Sequence, residues 1–179
     1  MKTMLAVLGF VALGCGGPVD FPVALGLDPD FSDYEVCLIH EATARWEAAT
    51  VARFDFRTTW DPMSQAQRPT FIYRDGQEDE SDGGHCEQIG GGDIWIMAAG
   101  LPAYWTEPVQ FANGFVTIVM HELGHHMGLD HLPPPAVMET PSGYPCVRTA
   151  DLRAFEALYG GSYIEQSCEP VVSCAEFLP

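Results

Sequence analysis

Basic residues are scarce in this chain. Eight Lys and Arg stand against 25 Asp and Glu, which gives a formal net charge of -17 at pH 7, and the only lysine is Lys2. Because nucleic-acid binding needs clustered Lys and Arg to neutralise phosphates, this composition argues against nucleic acid as a partner. A strongly acidic surface favours solubility, but it does not define the fold.

The chain also lacks an apolar run long enough to span a membrane. Its N-terminal run, residues 4–14, is about half of the roughly 20 residues that a spanning helix needs. Placed after Lys2, this run is typical of a signal peptide over residues 1–14. The sequence Ala12-Leu13-Gly14-Cys15 resembles the bacterial lipobox, in which the cysteine is acylated and becomes the mature N-terminus. We expect an exported bacterial lipoprotein on the periplasmic or cell-surface face, with ordinary secretion as the alternative.

No pair of cysteines has the C-x-x-C spacing of a structural zinc site. If Cys15 carries lipid, the cysteines left in an oxidising compartment are Cys37, Cys86, Cys146, Cys168 and Cys174. Two disulfides and one free thiol are the simplest arrangement of this odd number. The connectivity stays open, because sequence alone does not determine it.

Local patterns predict a tether over residues 15–30, which are rich in Gly, Pro and Asp, and one folded domain over residues 31–179. A capping box of Ser32 and Glu35 predicts a first helix to about Thr50. Its apolar residues recur at three- and four-residue steps and predict one buried stripe. These residues are Ile39, Ala42, Trp46 and Ala49.

Two further helices are predicted in the second half of the chain. Asn113 is placed to cap a helix from Gly114 to about Met127, and Gly128 is placed to end it. The last helix is expected over residues 149–159, with Gly160 as its stop.

Strands are predicted at residues 54–60, where apolar and polar residues alternate, at residues 70–74 and at residues 93–97. Residues 75–86 are acidic and contain glycine, which predicts a surface loop. The order of helix, strands, helix, loop and helix indicates an α+β domain with a mixed sheet.

The most specific pattern is His121-Glu122-Leu123-Gly124-His125-His126-Met127-Gly128-Leu129-Asp130-His131, which fits H-E-x-x-H-x-x-G-x-x-H at every fixed position. Background residue usage gives this match a chance of about one in ten million at a given start. His121 and His125 are one helical turn apart, so their side chains leave the same face of a helix. Gly128 permits the turn that brings His131 to the same point.

Three neutral imidazoles leave one tetrahedral position for water, as expected of a catalytic zinc. The metal lowers the pKa of that water to roughly 7. Glu122 is placed to accept its proton and later to protonate a leaving amine. The sequence therefore predicts a zinc-dependent endopeptidase that binds one Zn²⁺ through His121, His125 and His131, with Glu122 as the catalytic base.

On these residues the chain resembles the metzincin endopeptidases, and most closely the matrixin-like group. The resemblance implies a zincin fold with a mixed twisted sheet, a first long helix, an active-site helix and a C-terminal helix. It also implies a methionine turn below the zinc, matched by Met138, seven residues beyond His131. Weaker matrixin-like positions are Trp46, Gly92-Asp93-Ile94, Asp151 and Leu158-Tyr159-Gly160.

The same resemblance implies a peptide or protein substrate, bound extended along an edge strand that includes Ile94 to Met97. Residues 132–144, which are rich in proline, would then form the wall of the pocket beyond the scissile bond. Two positions depart from the related families. Leu132 follows His131 where matrixins commonly have serine, and Thr140 stands where astacin-like and serralysin-like enzymes place a tyrosine ligand, so no such role is assigned to Tyr144.

Other polar residues have simpler interpretations. The acidic loop offers ligands for Ca²⁺ or a second zinc, but no EF-hand or comparable motif supports such a site, and a solvated loop is favoured. These ligands are Asp75, Glu78, Asp79, Glu80, Asp82 and His85. His126 is expected to point away from the zinc, either exposed or behind the ligands. His40 is expected to be structural, and Asp130 is a candidate partner of a ligand.

Two other functions remain open at this point. One is a lipid-anchored, zinc-stabilised binding or surface protein without a physiological substrate, and the other is a hydrolase of cell-wall amides. The presence of Glu122 favours an enzyme over a scaffold, because a structural zinc site needs no general base. Side-chain specificity and oligomeric state cannot be read from the sequence.

Overall fold

The computed structural model of the protein describes residues 18–57, 69–74, 84–86, 92–97, 107–139, 145–161, 163–165, 168–171, 173–174 and 176. The predicted signal peptide, Cys15, most of the acidic loop, Thr140 and Tyr144 lie outside these residues. In chain order the elements are β1 (Val23–Leu27), α1 (Asp33–Ala49), β2 (Phe54–Phe56), β3 (Thr70–Arg74), β4 (Gly84–Cys86), β5 (Ile94–Ile96), α2 (Pro108–His126) and α3 (Thr149–Tyr159).

The strands form one five-stranded sheet in the order β2, β1, β3, β5, β4. The first four strands of this order run parallel, with Leu25 opposite both Phe56 and Thr70, and Ile72 opposite Ile94. Strand β4 runs antiparallel to β5. The predicted α+β class with a mixed sheet is confirmed, and so are the strands at residues 70–74 and 94–96.

The predicted tether is wrong at residues 23–27, which form β1, a strand with a neighbour on each side. Val23 and Leu25 are buried there. A parallel strand with a neighbour on each side is usually a short apolar run. Its sequence therefore lacks the alternation of apolar and polar residues by which a half-buried strand is recognised. The predicted loop is also wrong at residues 84–86, because the backbone of β4 pairs with β5. A strand of only three residues that includes glycine has too weak a β-propensity to be recognised in the sequence.

Helix α1 begins as its capping box predicts. The Ser32 Oγ accepts a hydrogen bond from the backbone N–H of Glu35 (3.3 Å), and the Glu35 carboxylate accepts one from the Ser32 N–H (2.8 Å). The predicted stripe is confirmed, since Ile39, Ala42 and Trp46 are fully buried and Ala49 nearly so. The Trp46 indole N–H donates to the Met120 carbonyl of α2 (3.0 Å), which joins the two helices.

Helix α2 begins earlier than predicted, at Pro108 with Glu107 as N-cap. Proline is favourable at a first helical position because the N–H it lacks has no intrahelical partner there. Asn113, the predicted cap, lies inside the helix, and its Oδ1 accepts a hydrogen bond from the Val171 N–H (2.8 Å). Helix α3 has the predicted bounds and ends before Gly160, whose φ is 66°.

Among the described residues two disulfides are present, which agrees with the expected number, and they pair Cys37 with Cys174 and Cys146 with Cys168. The first joins α1 to the C-terminal segment, and the second joins the chain before α3 to the chain after it. Within the described residues, no helix has the length and apolar character needed to cross a bilayer.

The two disulfides should differ in the stability they contribute. The cysteines of the first disulfide are 137 residues apart in the sequence, and those of the second are 22 residues apart. A longer closed loop restricts the unfolded chain more strongly. Replacing Cys37 and Cys174 by serine should therefore lower the free energy of unfolding by about 1.5 kcal/mol more than replacing Cys146 and Cys168. Urea denaturation of the two double variants measures this, and an equal or reversed loss would show that the loop-closure account is wrong here.

Candidate metal centre

Helix α2 and the turn after it carry the three predicted zinc ligands. His121 and His125 lie one turn apart in α2, which ends at His126. Gly128 has a φ of 87°, a conformation that glycine adopts without steric cost. Its N–H donates to the His125 carbonyl (2.9 Å), and this closes the helix and turns the chain toward His131. Gly128 therefore has the role that the spacing predicts.

The three imidazoles converge on one point. The Nε2 atom of His125 lies 3.0 Å from Nε2 of His121 and 3.1 Å from Nε2 of His131. One ring nitrogen from each residue falls within 4.8 Å of the others. A tetrahedral zinc with Zn–N bonds of 2.0–2.1 Å would separate its nitrogen ligands by about 3.3 Å. The observed spacing fits such an ion.

Two backbone carbonyls determine which ring nitrogens face each other. The Nδ1 of His121 lies 2.9 Å from the Val137 oxygen, and the Nδ1 of His125 lies 2.9 Å from the Leu129 oxygen. A carbonyl oxygen only accepts, so each Nδ1 carries the proton in the neutral ring. Each Nε2 then presents a lone pair, and neighbouring lone pairs at this distance repel unless a cation lies between them. The donor set therefore fits zinc, with carbonyls holding two ligands in the correct tautomer.

Burial keeps these rings neutral. Burial is the largest cause that lowers the pKa of His121, the nearby His125 and His131 also lower it, and the hydrogen bond to the Val137 carbonyl raises it, so that the resulting pKa is about 4. Burial also lowers the pKa of His125. A zinc ligand must be the neutral imidazole, so at neutral pH both rings are ready to bind without first losing a proton.

Glu122 directly follows His121 in α2 and is 4% exposed. Its side chain is thus withdrawn from bulk water. Asp130, expected as a partner of a ligand, accepts a hydrogen bond from the His131 backbone N–H (2.8 Å) through its carboxylate.

Met138 is fully buried and packs against the active-site helix. A Cβ added at Gly124 would overlap the Met138 sulphur and lie 3.4 Å from Trp46. The Met138 carbonyl accepts a hydrogen bond from the Leu132 N–H (2.9 Å), next to His131. Gly124 therefore permits a close approach between the chain around Met138 and α2, as the predicted methionine turn requires. The part that Met138 plays toward the metal remains a prediction.

Asp151 holds this turn from α3. Its carboxylate accepts hydrogen bonds from the N–H groups of Val137 (2.9 Å), Met138 (3.1 Å) and Arg148 (2.8 Å). It is fully buried, and burial raises its pKa while these hydrogen bonds lower it. The sequence marked Asp151 as a weaker matrixin-like position, and not as the support of the carbonyl that orients His121.

Two other histidines have separate environments. His126 is buried, with Nδ1 3.2 Å from the Gly92 carbonyl and Nε2 3.3 Å from the Thr70 hydroxyl, so it joins α2 to the sheet. Of the two positions expected for His126, exposed or behind the ligands, the exposed one is wrong, because its helix face is turned toward β3. His40 is exposed, and its ring centroid lies 3.9 Å from that of Phe56, which agrees with a structural role.

Asp151→Asn tests the support of the turn. An amide cannot accept hydrogen bonds at both of its heavy atoms, so at least one buried N–H loses its partner. The free energy of unfolding should fall by about 1–3 kcal/mol. Zinc affinity should fall by about 10- to 100-fold, as happens when a partner behind a ligand is removed. Denaturation and competition with a zinc chelator measure the two effects, with exposed Asp30→Asn as the control. A stable variant with unchanged zinc affinity would contradict the assignment.

Comparison with known proteins gives matches at the level of structure alone. No protein-family model matches the sequence, and a search of curated proteins finds no match. The structure of myroilysin aligns over 78% of this chain and 93% of its own, with 11% identity and a TM-score of 0.52. This alignment shows a shared fold.

Two further structures align with lower scores. Archaemetzincin from Archaeoglobus fulgidus, complexed with malonate, is 12% identical over 87% of this chain and 99% of its own, with a TM-score of 0.44. High choriolytic enzyme 1, a hatching-enzyme zinc-protease from the medaka fish Oryzias latipes, is 18% identical over 65% of this chain and 50% of its own, with a TM-score of 0.39. Both TM-scores lie below 0.5, so these two alignments do not establish a shared fold.

The fold predicted from the zinc motif is therefore confirmed, while the matrixin-like subgroup stays a prediction. From the sheet and the three helices of its described residues, and from its likeness to myroilysin, this chain has the metzincin-like zincin fold.

Proposed function

We propose that this protein is a zinc-dependent endopeptidase that hydrolyses peptide bonds in proteins or peptides. The observation that carries the proposal is the convergence of three Nε2 atoms, from His121, His125 and His131. The buried Glu122, which follows His121 in the sequence, supplies the candidate base. Three neutral nitrogen ligands leave a coordination position open, which distinguishes a catalytic zinc site from a closed structural one.

Zinc held by these rings supplies a Lewis acid that polarises a carbonyl and lowers the pKa of water to roughly 7. The chain supplies the proton transfers. Glu122 accepts a proton from the attacking water and later delivers it to the amine nitrogen of the leaving group.

The proposed substrate path runs along β4. Strand β5, which includes Ile94 and was expected at the edge, lies between β3 and β4, so that expectation is wrong. Among the described strands β4 is an outer one, and it runs antiparallel to its neighbour. An extended peptide can add to such an edge through its own backbone hydrogen bonds. Sequence preference would then depend on side-chain pockets and not on the pairing itself.

Export is part of the same proposal. Two disulfides are typical of oxidising compartments outside the cytosol. Together with the lipobox at Ala12 to Cys15 they support a signal peptide over residues 1–14 and a lipid-anchored bacterial enzyme.

Glu122→Gln and His125→Ala separate catalysis from metal binding. Glu122→Gln keeps the size of the side chain but removes the base. The variant should therefore retain about one zinc per chain, while its rate of peptide hydrolysis should fall by about 10²- to 10⁴-fold. His125→Ala should lose zinc and activity together, because two imidazoles hold the metal far more weakly. Elemental analysis and cleavage of a diverse peptide library measure both, with exposed Glu156→Gln as the matched control.

Full activity in zinc-loaded Glu122→Gln protein would contradict the assigned base. A zinc-loaded wild-type protein that cleaves no peptide in the library would favour the binding-protein alternative. Cleavage of peptidoglycan but not of casein would instead identify a cell-wall amide hydrolase.

A further inference from the structure

We propose that a surface patch formed by Val51, Tyr163 and Ile164 rests on a zwitterionic lipid bilayer when the protein is anchored through Cys15. We call these three residues the membrane patch. The proposal rests on the acylation of Cys15 proposed above and is independent of peptidase activity.

The three side chains are unusually exposed for their chemistry. Val51 is 43% exposed, Tyr163 38% and Ile164 69%. The remaining large exposed hydrophobic residue in the described part of the chain is Val109 (48%), at the start of α2. Scattered apolar side chains are normal on a protein surface, but adjacent ones point to a binding surface.

The membrane patch is continuous. Val51 and Tyr163 line one shallow surface groove between the end of α1 and the end of α3. A Cβ added at Gly161 would lie 3.3 Å from a Val51 methyl group. The Ile164 N–H donates to the Ala49 carbonyl (3.1 Å), which holds Ile164 against the last residue of α1.

The N-terminal segment of the described chain lies beside this patch. The Val19 N–H donates to the Tyr159 hydroxyl (2.8 Å), directly before Gly160. The Phe21 ring packs against Tyr159 (5.1 Å between centroids) and Phe155 (6.1 Å). Phe155 is itself part of the groove that Val51 and Tyr163 line. The described chain therefore begins at this end of the domain.

The length of the chain between Cys15 and Val19 limits the distance to the lipid. Four residue steps separate Cys15 from Val19, and a fully extended chain spans at most about 3.6 Å per residue, or about 14 Å in all. With its acyl chains in the bilayer, Cys15 would hold Val19 within that distance of the headgroups. An aromatic phenol with two aliphatic side chains is suited to the boundary between headgroups and acyl chains.

Two other binding partners fit the membrane patch less well than a zwitterionic bilayer does. A second copy of the chain is disfavoured because stable interfaces use about 20–30 residues on each side, whereas this patch has three large apolar side chains. An anionic membrane is disfavoured because the net charge of -17 would be repelled by it. A zwitterionic surface avoids this repulsion and still accepts the apolar side chains.

Tryptophan quenching by brominated lipid tests the orientation. Full-length acylated protein, with the mass of its N-terminal peptide confirming lipid on Cys15, is reconstituted into phosphatidylcholine vesicles whose acyl chains carry bromine. The Ile164→Trp chain should lose about half of its added emission relative to unbrominated vesicles, as expected of a side chain at the acyl boundary. The Val109→Trp chain is the matched control, because Val109 is similarly exposed but lies outside the patch.

Equal quenching of the two variants would overturn the proposal, and so would quenching confined to Val109→Trp. A concentration-dependent dimer that Ile164→Glu abolishes would also overturn it and assign the patch to a second copy. A mature N-terminus without lipid would remove the premise. Since none of these measurements involves peptide cleavage, failure here is distinguishable from failure of the proposed enzymatic activity.

Discussion

The hydrogen bond from His121 Nδ1 to the Val137 carbonyl is the contact on which the candidate metal site depends. It fixes the tautomer of a buried ligand and directs its Nε2 toward His125 and His131. The Val137 carbonyl is held in place in turn, because the Asp151 carboxylate accepts hydrogen bonds from the N–H groups of Val137 and Met138. A carboxylate on α3 thus positions a ring on α2 through a backbone turn that belongs to neither helix.

This arrangement explains why the site needs the whole domain. Trp46 of α1 bonds to the backbone of α2, and Gly124 of α2 leaves room for the Met138 sulphur. His126, adjacent to a ligand, ties the same helix to the sheet through Thr70 and Gly92. The ligands are therefore carried on an element restrained on several sides, which is the preorganisation that a metal centre requires. Metal bound there would add its free energy to the stability of those contacts.

Features with local causes could be predicted from the sequence. The capping box at Ser32, the strand at residues 70–74 and the glycine stop after α3 depend on neighbouring residues alone. Strands β1 and β4 could not be predicted in the same way, because their existence depends on partners far along the chain. The candidate ligands could be predicted from helical spacing. The role of Asp151 could not be predicted, because its partners are backbone N–H groups, which every residue type except proline provides.

Zinc K-edge X-ray absorption spectroscopy of the purified zinc-loaded protein identifies the atoms that bind the metal. We expect one zinc per chain, bound by three imidazole nitrogens and one oxygen at about 2.0–2.1 Å. His131→Ala protein, in which a ligand outside α2 is removed, should lose one imidazole contribution from the spectrum. Sulphur scattering at about 2.3 Å, or a wild-type spectrum that His131→Ala leaves unchanged, would contradict the assignment of His121, His125 and His131 as the ligands.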